Sequence, residues 1–197
     1  DAWVYLLYLV LTVVAVDFVL GAARLLSLVS KERVRSPRFR AGRLSLDLVL
    51  PALIVLAGIW NFHNLRVKTY EIEVPRKSSA LSELKIAFAS DFHLGDATAA
   101  GFMDAFVAKV NALEPDVVLL GGDVLEGGRS EEALARFQAQ FRRLRARFGV
   151  FGVPGNHERY AGARADVFAE AGIRHLQDEV VRVGDAFILA GRNDQRS

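Results

Sequence analysis

Three short polar clusters in this chain carry residue types that handle metal ions and phosphate. The first is Asp91-Phe92-His93. In extended backbone, residues two apart share a side, so the Asp91 carboxylate and the His93 imidazole are expected to project together while Phe92 turns toward a core. An acid and an imidazole aimed at one point form half of a divalent-metal site, and the same triplet also makes a local hydrogen-bonded pair. The second cluster is Gly121-Gly122-Asp123. Paired glycines allow a sharp turn with space beside it, and Asp123 then has two oxygens with which to bridge two cations; an ordinary turn uses the same residues. The third, Pro154-Gly155-Asn156-His157-Glu158, is the most informative. A Pro-Gly turn followed by three polar side chains offers a core little. Asn156 presents a carbonyl oxygen to a metal, His157 a proton or hydrogen bond to a phosphoryl oxygen, and Glu158 is placed to orient that imidazole.

Each cluster directly follows a stretch that reads as a strand: Leu84 to Ser90, Asp116 to Gly121 and Val150 to Val153. Between the first two, Phe102, Phe106, Val110 and Leu113 recur at helical spacing until Pro115 stops the pattern. Ser130 has the chemistry of an N-cap, and Leu134, Phe137, Phe141, Leu144 and Phe148 predict a helix after it. Farther on, Ala163 to Ala171 reads as a short helix closed by Gly172, and Ile173 to Leu176, Val180 to Val183 and Phe187 to Ala190 as strands. Strands alternating with helices imply an α/β fold with a parallel sheet, whose carboxyl edge is where such loops converge into a site. Arg136, Arg142, Arg143, Arg145 and Arg147 alternate with the apolar stripe of the second helix, as a solvated outer face does, so nucleic acid is not an expected partner.

Asp-x-His, Gly-Asp and Gly-Asn-His-Glu, in this order and each after a strand, resemble the calcineurin-like metallophosphoesterase family, over about Leu84 to Arg192. The preceding apolar helices resemble that family's membrane-anchored bacterial branch, some of whose members act on lipid-linked or nucleotide-linked phosphoesters. The resemblance implies the first part of an α/β/β/α sandwich and two divalent metal ions, manganese, iron or zinc. It makes Asp91 and His93 ligands of one metal, Asp123 the bridge, Asn156 a ligand of the second and His157 the group that meets phosphate. Gly191-Arg192-Asn193-Asp194 is similar to a Gly-Arg-x-Asp segment of the branch, which adds Arg192 as a substrate-binding candidate. The family also supplies a further His and a Gly-His-x-His segment near its C-terminus. This chain has four histidines, of which His63 lies at the end of an apolar run and His175 in a predicted strand. The missing ligands are therefore expected beyond Ser197, and a chain without them is expected to hydrolyse slowly if at all.

The front of the chain has a different composition. Between Ala2 and Leu28 the charges are Asp17 and Arg24, and from Leu48 to His63 there is none, so two stretches approach the length that spans a bilayer. Residues 1–66 read as a membrane anchor of two transmembrane helices joined by a basic loop, and residues 67–197 as the phosphoesterase domain, incomplete at its C-terminus. The net charge is +2 with a pI near 9.1. Much of the excess lies in Lys31, Arg33, Arg35, Arg38, Arg40 and Arg43, which read as a topology signal. With that loop cytoplasmic, the domain after the second span is extracytoplasmic on a bacterial cytoplasmic membrane; Arg66 and Lys68 support the opposite placement. Asp17 is expected protonated or hydrogen-bonded between helices, and Asp47 and His63 in interfacial solvent. The chain starts at Asp1 without an initiator methionine, so upstream sequence is expected. It has no cysteine, so a metal must be held by oxygen and imidazole.

Expected partners are thus membrane lipids and a phosphoester substrate that is a phosphomonoester, phosphodiester or pyrophosphate, with a lipid-linked one favoured by the anchor. Two other readings stay open: a noncatalytic membrane protein that binds metal, and a nuclease, for which the arginine-rich helix is the support.

Overall fold

The structure, a computed structural model, describes residues 2–75, 81–126, 130–160 and 166–193. The chain divides into two compact units, Asp1–Val67 and Lys68–Ser197.

The first unit consists of α1 (Ala2–Leu25), α2 (Lys31–Arg35) and α3 (Pro37–His63). The basic stretch expected as a loop is helical instead. Ser30 accepts a hydrogen bond from the Arg33 amide to start α2, and Ser36 accepts one from Phe39 to start α3, with Pro37 at its first position. Two serine caps and a well-placed proline outweigh the absence of an apolar pattern there. At 24 and 27 residues, α1 and α3 are long and apolar enough to cross a membrane. Their apolar side chains are largely exposed, among them Val14, Phe18, Val19, Leu53 and Leu56, which fits burial in lipid and gives the protein its membrane association. The two helices are also joined by polar contacts. The Tyr5 hydroxyl donates to the Leu48 carbonyl at 3.1 Å. Asp17 pairs with Arg43 at 2.6 Å, and Arg43 reaches Asp47 at 3.4 Å. Asp47, expected in interfacial solvent, is buried at 8% exposure, because α3 begins well before the apolar run and carries it alongside α1.

In the second unit, β1 (Ile86–Ala89), β2 (Val117–Leu120), β3 (Val150–Gly152) and β4 (Arg174–His175) form a parallel sheet in that order. Ile86 pairs with Val117, Val118 with Val150 and Phe151 with Arg174. The crossovers contain α4 (Ala100–Ala112), α5 (Glu131–Phe141), α6 (Asn156–Tyr160) and α7 (Asp166–Glu170). Right-handed crossovers between strands in sequential order put these helices on one face. The antiparallel hairpin of β5 (Glu179–Val183) and β6 (Phe187–Gly191) packs on the other face, where Val181 and Val183 meet Val117, Phe151 and Leu176, while Ile86 and Phe88 of β1 stay exposed. This is the expected α/β class.

Ser130 caps α5 as its chemistry implied, accepting from the Ala133 amide. The helix stops at Phe141 rather than running on to Phe148. The chain must reverse to enter β3, and Gly149 at φ +93° makes that turn, while Leu144 stays buried from a non-helical position. Three arginines of this region are tied to protein groups: Arg143 to Asp104, Arg147 to Asp116 at 3.9 Å, and Arg142 to the Glu170 carbonyl at 2.6 Å. Ala163, the expected start of the next helix, lies outside the described residues.

Candidate metal centre

Strand order decides which loops meet. β1, β2 and β3 are neighbours, so the segments leaving their carboxyl ends lie side by side. Pairing continues past the strands: the amides of Asp91, His93 and Leu94 donate to the carbonyls of Gly122, Asp123 and Val124, and Glu126 returns a bond to Leu94 at 2.9 Å. Leu94 is fully buried and anchors the first loop.

The backbone here is not extended. Asp91, His93 and Asp123 have φ of +58°, +47° and +50°. The alternation argument for Asp91 and His93 therefore does not hold, although Phe92 does turn inward and packs edge-on against Phe106 and Phe141. Left-handed non-glycine residues cost about 1 kcal/mol or more each and persist where surrounding bonds over-determine them, as the paired amides do. They turn the side chains out of the strand direction at the sheet edge.

The structure brings His93, Asp123 and His157 together, with one potential ligand atom from each within 4.8 Å of the others. The two imidazoles meet edge to face at 4.4 Å between centroids. Asn156 joins them, its side-chain nitrogen 3.1 and 3.2 Å from the two Asp123 oxygens in the orientation that satisfies both groups. The His157 amide donates to Asp123 Oδ1 at 3.0 Å. Asp91 is exposed and lies outside the cluster of three. The three side chains converge at the sheet edge as a partial metal-binding group of oxygen and imidazole donors.

Glu126 is a member of the site that no motif in the sequence pointed to. Its Oε2 lies 2.9 Å from His93 Nδ1 and its Oε1 2.9 Å from His157 Nδ1, so one carboxylate orients both rings. The hydrogen bond that His157 donates to Glu126 raises the pKa of His157. Burial opposes the shift, and the charges of Glu126, Asp123 and Glu158 add to it. The signal available was spacing: Glu126 follows Asp123 by three residues in the loop that leaves β2.

Glu158, expected to orient His157, is turned elsewhere. It is 2% exposed and accepts from four backbone amides: Val124 and Leu125 on Oε1, Asp123 and Gly155 on Oε2. A buried carboxylate is tolerated where several amides satisfy it, and here it locks the loop of Asp123 to the turn of Asn156. That function follows from α6, which the sequence did not announce and which starts at Asn156 and swings Glu158 beneath the β2 loop.

The glycines make the approach possible. A Cβ on Gly122, at φ +91°, would lie 2.7 Å from the Gly155 nitrogen, and one on Gly155 would run into Asp123. A Cβ on Gly191 would run into Leu176, with Val153 Cγ1 next at 3.0 Å, so β6 ends against the segments that leave β4 and β3, and Arg192 follows it, exposed. Asp194 is outside the described residues. His175 is in β4, stacked on Phe168 at 4.8 Å, with burial lowering its pKa.

Known proteins resemble the chain in sequence. The calcineurin-like phosphoesterase family matches residues 84–192. A transmembrane protein with metallophosphoesterase domain from Bos taurus is 34% identical over 165 residues, covering 77% of this chain and 37% of that protein. An uncharacterized metallophosphoesterase from Aquifex aeolicus is 32% identical over 148 residues, covering 72% and 55%. A UDP-2,3-diacylglucosamine pyrophosphatase from Chlamydia trachomatis is 32% identical over 120 residues, covering 58% and 35%. The chain thus spans between about a third and just over half of these curated relatives. Its matched region holds all three polar clusters, and the chain belongs to the calcineurin-like metallophosphoesterase family.

Proposed function

We propose that this protein hydrolyses a phosphoester or pyrophosphate carried by a lipid or a lipid-linked nucleotide at the membrane. The observation that carries this is the convergence of His93, Asp123, Asn156 and His157 at the ends of three adjacent parallel strands. Asp91, His93, Asp123 and Asn156 are the residues that would hold two divalent ions. Such ions supply Lewis acidity toward a phosphoryl oxygen and make water a stronger nucleophile near neutral pH. His157, kept protonated to higher pH by Glu126, donates a hydrogen bond or proton to a phosphoryl or leaving oxygen. Glu158 holds the loops in register, and Arg192 is the cation available to a flanking phosphate. The membrane unit and the pyrophosphatase named among the relatives both favour an amphipathic substrate.

By the distribution of basic residues, Lys31 to Arg43 lie on the cytoplasmic side and the phosphoesterase unit on the opposite one. Accessibility of single introduced thiols at Ser30 and Thr69 to a membrane-impermeant reagent tests the orientation.

The activity test is hydrolysis of bis-p-nitrophenyl phosphate by the full-length protein, with metal content measured on the same samples. Manganese-, iron- or zinc-dependent turnover is expected, and Asp123→Asn should abolish it. His157→Ala should lower turnover with metal largely retained; equal metal loss in the two variants would remove the role given to His157. Metal binding without turnover on a phosphomonoester, a phosphodiester and a pyrophosphate would favour the noncatalytic alternative.

A further inference from the structure

The membrane unit contains a charged cluster that its own helices leave half covered. Asp17 lies about 12 Å of helix rise before the end of α1, inside the apolar span. It shares Arg43 with Asp47, the two contacts being 2.6 and 3.4 Å. Asp47 is buried, and its Oδ1 has no hydrogen-bond partner among the described residues. The side chains of Asp17 and Arg43 are 57% and 30% exposed. Arg43 closes the basic segment, so the pair sits where that segment meets the apolar span of α1, and neither helix covers its outward side. The same face of α1 bears Val10, Val14 and Gly21, at helical spacing from Asp17. Gly21 has open space where a Cβ would point, so another helix can approach its backbone closely.

We propose that this face is where two copies of the chain meet in the membrane. The patch holds an acid and a base side by side, which makes it complementary to itself. A two-fold axis beside Asp17 sets Arg43 of each copy against Asp17 of the other and closes a ring of alternating charge. A lipid tail offers no such partner, and a helix with charge of one sign matches half of the patch.

The absence of cysteine makes single thiols unambiguous reporters. Val14 lies on the Asp17 face and Val19 on the opposite flank of α1, and they are equally exposed, at 60% and 62%. The full chain with Val14→Cys or Val19→Cys is placed in phosphatidylcholine vesicles at low protein-to-lipid ratio and oxidised. Val14→Cys should shift to dimer mass while Val19→Cys stays monomeric, and adding Asp17→Leu to Val14→Cys should remove the dimer. Equal cross-linking at both positions, or a dimer that persists with Asp17→Leu, overturns the proposal. So does a Val14 thiol that forms no dimer: shielded from a lipid-soluble maleimide it reports a different helix on this face, and freely labelled it reports lipid.

Discussion

At Glu126 a single carboxylate holds two imidazoles, and its removal should be felt at both. An amide in its place keeps one acceptor and no charge, so in Glu126→Gln only one protonated ring can donate to it. The folded-state pKa of His157 is raised, so the stabilising charged pair is complete below the ordinary imidazole value and is lost as pH rises through the raised one. Histidine NMR titration of the metal-free protein should find His157 titrating above the ordinary value, and Glu126→Gln should bring it down; an unchanged midpoint would assign the shift to another group. His157 itself was legible because a Gly-Asn-His-Glu run has little use in a core. Glu126 was not, because a lone acid in a loop has no meaning until the β1 and β2 loops are side by side.

Among the elements, the short helix α6 decides more than its length implies. By placing Glu158 under four amides it converts an expected catalytic group into the clamp between two loops. Glu158→Ala leaves those buried donors without an acceptor, and a loss of about 3 kcal/mol in urea unfolding is expected. A loss below about 1 kcal/mol would mean that water replaces the carboxylate there. Gly155→Ala tests the neighbouring contact without touching a polar group. Its methyl would displace Asp123, so metal affinity should fall at least about tenfold by calorimetry while far-ultraviolet circular dichroism is unchanged. The strands and the α5 cap were readable from apolar runs and a serine, since both signals are local. The end of α5 at Phe141 and the left-handed Asp91, His93 and Asp123 were not, because chain reversal and interstrand bonding impose them.

For the molecule as a whole, the two units respond to different solvents, one built for lipid and the other around a parallel sheet. Acid sensitivity should come from His175 in the second unit. Burial lowers its folded-state pKa, with the Glu158 charge opposing, so its contribution is present above the ordinary imidazole value and lost as pH falls toward the depressed one. Thermal melts should show a lower midpoint at about pH 5.5 than at about pH 7.5, and His175→Phe, which keeps an aromatic ring against Phe168, should flatten the difference. An equally steep profile in that variant would place the acid-sensitive group elsewhere. The sequence by itself determined the two long apolar helices, the alternation of strand and helix, and the three clusters with their family, because each is written in neighbouring residues as hydropathy, period or motif. Only the tertiary structure decided that Asp17 faces Arg43, that Glu126 holds both imidazoles and that Glu158 holds the backbone. Apart from the bond from Gly155 to Glu158, those contacts join residues 26 to 35 positions apart, and which distant side chains meet depends on strand order and helix docking rather than on any local pattern.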